Sequence, residues 1–225
     1  MAEHPLIDVS LLRHPPVASG LSIQAALGLA TAGVGYTVTL QLQLAWGWPP
    51  VLAALGTLPQ VLTMIAVAPF VERVVRKVGL DRAGVIGSAV VLVGLLDYAL
   101  LGRFHYVFIA PALVLIAAGM RVAMITATIN VMRGLPSERT SIGAALNDTA
   151  QEIAGGIGIA VVGLVIAASV TGGLTRTPWG AERVAAFENA VTLGALLLAA
   201  VAAALLASAA VRSARGRVPS PSTTE

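Results

Sequence analysis

The chain has no cysteine, which excludes a disulfide framework and any thiolate metal site. Histidine is almost as scarce. His4 and His14 fall in the N-terminal segment and His105 in a short loop. That scatter gives no metal-ligand spacing, and no metal is expected. No histidine lies inside an apolar run and no Gly-x-Ser-x-Gly occurs. An intramembrane serine protease would therefore lack both its base and its framed nucleophile. There is no P-loop and no dinucleotide glycine fingerprint opening from a strand. Neither enzyme activity nor a cofactor is expected. Charged residues make up only 11% and aromatics only 4%, and no large aromatic cage for a hydrophobic cation is evident.

The rest is apolar. Hydrophobic residues make up 57% of the chain, and the mean hydropathy is +0.87. A soluble domain of ordinary composition does not reach such values, so the expected class is an all-α polytopic membrane protein. The net charge of +3 reads as loop Arg and Lys rather than as a nucleic-acid footprint. The opening MAEHPLIDVSLLRHPP is polar and lacks the basic start and apolar core of a cleavable signal.

Hydropathy, with Pro and charge as punctuation, predicts transmembrane helices at about 17–40, 50–71, 82–102, 106–132, 140–169 and 187–211. Residues 1–16 read as a cytoplasmic N-terminal segment and 212–225 as a disordered cytoplasmic tail. Trp46 and Trp48 occupy a short loop, as interfacial aromatics do. Asp97 lies near the exit of its span, where a carboxylate reaches water. Arg13, Arg73, Arg76, Lys77, Arg82, Arg133, Arg139, Arg212, Arg215 and Arg217 fall on one side of the bilayer, against Arg103, Arg176 and Arg183 on the other. The excess puts both termini in the cytoplasm, and the expected location is the plasma membrane.

The informative stretch is the fifth span, TSIGAALNDTAQEIAGGIGIAVVGLVIAAS. It carries Asn147, Asp148, Gln151 and Glu152 inside an apolar helix of bilayer length. Carboxylates there are costly and read as functional by default. Asp148 and Glu152 are four apart and share a face. Gly155, Gly156 and Gly158 then provide a small-residue surface for helix packing. Arg121 lies about 16 Å inside the end of the fourth span, and Asp148 and Glu152 lie about 12 and 18 Å in from the same side. Matching depths predict an Arg121–Asp148/Glu152 cluster, a site where protons and a small-molecule substrate compete for one negative charge. Separate polar crevices for each group remain the alternative.

The run AAGMRVAMITATINVMRGLPSERTSIGAALNDTAQEIAGGIGIAVVG resembles the 14-helix drug:proton antiporter branch of the major facilitator superfamily. Gly119, Met120, Met124, Ala127, Thr128, Leu135, Pro136, Glu138, Arg139, Asn147, Thr149, Gly155 and Gly158 stand where that branch has its pattern. The loop PFVERVVRKVG, with Arg73, Arg76, Lys77 and Gly79, resembles its cytoplasmic loop motif. Three departures stand out. Arg121 replaces a usual Gly, Gln151 and Glu152 replace a frequent Arg-Gln, and Glu72 and Arg76 replace the loop motif's Gly and Asp. The resemblance implies one six-helix half, built as two three-helix repeats. It also implies proton-coupled efflux of drug-like molecules, with a missing N-terminal half or a second copy as partner. A non-transporting scaffold or remnant stays open beside it.

Overall fold

Pro15 and Pro16 open the first helix, where a missing N–H costs nothing. In the computed structural model, which describes residues 14–135, 140–170 and 179–215, that helix is α1, Pro15–Leu40. It runs on through a π-turn, Gln41–Ala45. Gly47, at φ +66°, then turns the chain, and Pro49–Pro50 starts α2, Pro50–Gly56. Thr57 breaks the helix, and Pro59 restarts it as α3, Leu58–Val78. The remaining helices are α4, Leu80–Leu101, α5, Tyr106–Arg133, α6, Thr140–Ser169, and α7, Ala181–Arg215. Counting α2 and α3 as one span, six are long and apolar enough to cross a membrane. The chain is a multi-pass, all-α membrane protein.

Three boundaries differ from the sequence reading, the ends of α3 and α7 and the start of α7, which begins at Ala181 rather than at 187. Arg73, Arg76 and Lys77, expected in a loop, lie in α3. The reason is periodic. Val71 is buried, and Val67, Val75 and Val78 pack beside it against Ala83 and Val122. The apolar face therefore continues past the charges. Arg76 and Lys77 occupy the last turn, where cations complement the helix dipole. Gly79 alone links α3 to α4, at φ +84° and ψ 154°, a conformation open only to glycine. At the other end of the chain α7 continues through Arg215, so residues 212–215 of the expected tail are helical. Residues 1–13 of the expected N-terminal segment, Pro136, Glu138, Arg139, Arg176 and Arg217 lie outside the described residues, while Pro15 and Pro16 of that segment already belong to α1.

The packing has an internal exchange. α1 lies against α6 and α7, while α5 lies against α3 and α4. α1 also meets α5, and α4 meets α7. If α1, α3 and α4 form one unit and α5, α6 and α7 the other, each of these contacts maps onto its counterpart when the units are swapped. Inverted three-helix repeats produce this pattern. The contacts are close because small residues let backbones approach. A Cβ on Gly87 would lie 2.8 Å from Gly119 O, and one on Gly94 3.0 Å from Ala112 O. The helices are unequally covered. In α1 67% of the apolar window is buried, in α6 28% and in α2–α3 11%.

Candidate functional site

The site is built on α6, and α1 decides how α6 sits. Gly28 of α1 receives the Gln151 backbone with no room for a side chain. Gly158 of α6 rests on Leu29, and Gly155 on Ala32. Thus two of the three glycines expected to pack helices do so. Gly156 does not, because nothing lies within 4 Å of its Cβ position. It falls on the helix face turned away from α1.

The same turn of α6 fixes the polar residues. Gln151 accepts a hydrogen bond from Gln24 Nε2 at 2.6 Å. Gln24 is fully buried, and its own carbonyl oxygen has no partner. One turn away Asn147, also buried, donates to Thr128 Oγ1 of α5 at 3.2 Å. Gln24, Gln151, Asn147 and Thr128 therefore string three helices together. Asp148 and Glu152 stand off this string, on the exposed side of α6.

The expected Arg121–Asp148/Glu152 cluster is not formed. No ion pair joins Arg121 to either carboxylate, and the buried Nε of Arg121 has no hydrogen-bond partner. Depth was matched, but lateral position was not. α6 is held to α1 by Gly28 and Gly158 and meets α5 at few places. Arg121 is two helical turns from Thr128 on one stripe of α5, so it faces the same side as the Asn147–Thr128 link without reaching α6. The geometry leaves three charged groups of both signs at bilayer depth without ion partners among the described residues. Carboxylates in such a place need water or further protein beside them.

Two residues of this string carried no role in the sequence reading. Gln24 was visible there only as a polar residue in an apolar span. Thr128 was visible only as part of the matched pattern, since Thr commonly bonds within its own helix, as its 3.0 Å bond to Met124 O does here. The Arg73, Arg76, Lys77 and Gly79 group lies at the far end of α3 and does not join the site. Asp97 is half-buried, about one turn from the end of α4. Among the described residues no group of His, Asp or Glu could hold a metal.

A cavity of about 620 Å³ opens between α1, α4, α5 and α7. Ser19, Asp81, Ser88, Thr126 and Asn130 give it polar walls, and none of Arg121, Asp148 and Glu152 lines it.

No family model matches the chain. Similarity to individual proteins is clear. The tetracenomycin C resistance and export protein of Streptomyces glaucescens is 26% identical over 204 residues, covering 87% of this chain and 38% of that protein. The multidrug efflux pump LfrA of Mycolicibacterium smegmatis is 26% identical over 96% of this chain and 44% of its own length. The methyl viologen resistance protein SmvA of Salmonella typhimurium is 25% identical over 79% of this chain and 36% of its own length. The chain thus spans less than half the length of these relatives. It is similar to drug export, multidrug efflux and resistance proteins over part of their length.

Proposed function

We propose that this chain is one half of a proton-coupled efflux transporter for small, drug-like molecules. It works with an N-terminal half or with a second copy of itself. The observation that carries this is the placement of Asp148 and Glu152. Both are exposed on a helix long and apolar enough to span a bilayer. Acyl chains would leave them unsolvated, at a cost of several kcal/mol on the order of the insertion scales. A water-filled cavity shared with a partner removes that cost. The thin coverage of α2–α3 supports the same partner. Protons and a cationic substrate then compete for the carboxylate pair, and Arg121 is a fixed positive charge on the neighbouring helix α5. The plasma membrane is the setting, with both termini on the cytoplasmic side, as the Arg and Lys distribution implies.

The test is efflux of a fluorescent lipophilic cation from proteoliposomes, with and without a pH gradient. The chain is assayed alone and with the N-terminal half of a relative supplied separately. Gradient-driven efflux that is lost in Glu152→Gln and in Asp148→Asn supports the proposal. If it occurs with the chain alone, the second copy is the partner. Absence of gradient-driven efflux in both preparations, with inserted protein verified, overturns it in favour of a non-transporting scaffold.

A further inference from the structure

A second concavity, a groove of about 560 Å³, lies between α1, α6 and α7. It is lined from Ala18 to Leu29 on α1, from Leu146 to Ile157 on α6 and from Val201 to Arg212 on α7. Each stretch advances eleven residues, about 16 Å of helix, so the three walls span one depth. Ala25, Ala150 and Ala154 keep the groove open. Ile153 and Ile157 stand at its edge and are exposed. Farther along, α6 and α7 close on each other, where Val162 lies 3.4 Å from the Cβ position of Gly194. The groove thus widens toward Arg212.

Arg212 caps the wide end, and its bonding is unfinished. Its Nη1 makes two long contacts, 3.5 Å to Ala18 O and 3.4 Å to Ser22 Oγ. Ser22 is itself committed, donating to Ala18 O at 2.8 Å. A guanidinium has five N–H donors in a fork suited to phosphate, and most of this fork is unused among the described residues. Arg215 and Arg217 follow in the sequence. Behind Arg212 the groove is apolar for about the length of an acyl chain.

We propose that this groove holds one acyl chain of an anionic phospholipid, with the headgroup phosphate on Arg212, in the leaflet at the Arg-rich end. A cationic mouth above an apolar channel matches an anionic head joined to a hydrocarbon tail, and basic pockets between transmembrane helices bind such headgroups. A second protein chain would have to bring both an acid to Arg212 and an apolar ridge to the channel. The groove also occupies the Thr149–Ile153–Ile157 flank of α6, a different flank from the Asp148–Glu152 stripe. The inference therefore stands whether or not the chain transports anything.

The experiment uses the full chain in phosphatidylcholine vesicles doped with spin-labelled phosphatidylglycerol or spin-labelled phosphatidylcholine, and reads the motionally restricted fraction of each. The chain should prefer the anionic lipid by about five-fold. Arg212→Gln should reduce the preference to near one. Arg133→Gln, which removes an exposed charge at the end of α5, should leave it intact. Ala150→Leu, which narrows the channel and keeps the charge, should lower restriction of both lipids. Equal restriction of the two lipids by the unmodified chain overturns the proposal. So does a preference that survives Arg212→Gln, or one lost equally in Arg133→Gln. Cross-links between copies carrying Ile153→Cys that displace the restricted lipid would assign the groove to a second copy, and overturn it too.

Discussion

The seam between α1 and α6 and the seam between α5 and α3 occupy equivalent places in the two three-helix units, yet they are built differently. The α3–α5 seam is dry. Val71 meets Val122 with Val67, Val75, Val78 and Ile125 around them. The α1–α6 seam is close and polar. Gly28 and Gly158 bring backbones together, and the Gln24–Gln151 bond crosses between them at 2.6 Å. In a bilayer, burying valine gains little over lipid, so a dry seam is held by packing alone. A buried amide pair adds direction, because only one register satisfies it. The difference teaches which helix must be held in one orientation. Turning α6 by a fraction of a turn would move Asp148 and Glu152 off their open side, whereas turning α3 would only exchange one valine for another.

The comparison can be broken most severely at Gly28. Gly28→Leu forces a side chain into the Gln151 backbone and should destabilise the fold by about 3 kcal/mol, seen as early loss of monodisperse protein on heating in detergent. Gly156→Leu, on the same helix with no atom near its Cβ position, should change stability by less than about 0.5 kcal/mol. Equal effects at the two sites would mean that α6 does not lie on α1 as described.

The dry seam should yield a smaller loss. Val71→Ala leaves a void beside Val122 and Ala83, and about 1–2 kcal/mol is expected from lost contacts. Gln24→Ala and Gln151→Ala should each cost about 1 kcal/mol, with a coupling near 0.6 kcal/mol in a double-mutant cycle, the usual size for a hydrogen bond between transmembrane helices. Zero coupling would leave the α1–α6 seam no more directional than its dry counterpart.

These differences mark where the sequence was informative. The spans were legible because bilayer length, proline and charge punctuate them. The polar character of α6 was equally plain, since Asn147, Asp148, Gln151 and Glu152 interrupt an apolar run. What could not be read was direction across the membrane plane. Helical rise gave Arg121 and Glu152 similar depths, but nothing in the spacing says that α6 leans on α1 rather than on α5. That choice comes from Gly28 and Gly158, which lie far apart in the chain and meet only after folding. The end of α3 was misread for a different reason. Arg73, Arg76 and Lys77 look like a loop when counted as charge, yet Val71, Val75 and Val78 keep a helical face turned inward.

The smallest expected change in stability falls on the carboxylates. Glu152→Gln removes a charge from an exposed position and should shift the melting midpoint little, because the group has no ion partner to lose among the described residues. The informative readout is access to water. The chain has no cysteine of its own, so single replacements report cleanly. In reconstituted vesicles, Asp148→Cys and Glu152→Cys should react with a membrane-impermeant, charged maleimide at rates near those of a loop position. Leu164→Cys, also exposed but within the purely apolar part of α6, should react slowly, since a thiolate does not form readily in hydrocarbon. Fast labelling at 148 and 152 with slow labelling at 164 means that water or a water-filled partner interface meets the carboxylate stripe. Slow labelling at all three positions would put that stripe against lipid or dry protein, and a proton exchanging with Glu152 would then have no route from the aqueous phase.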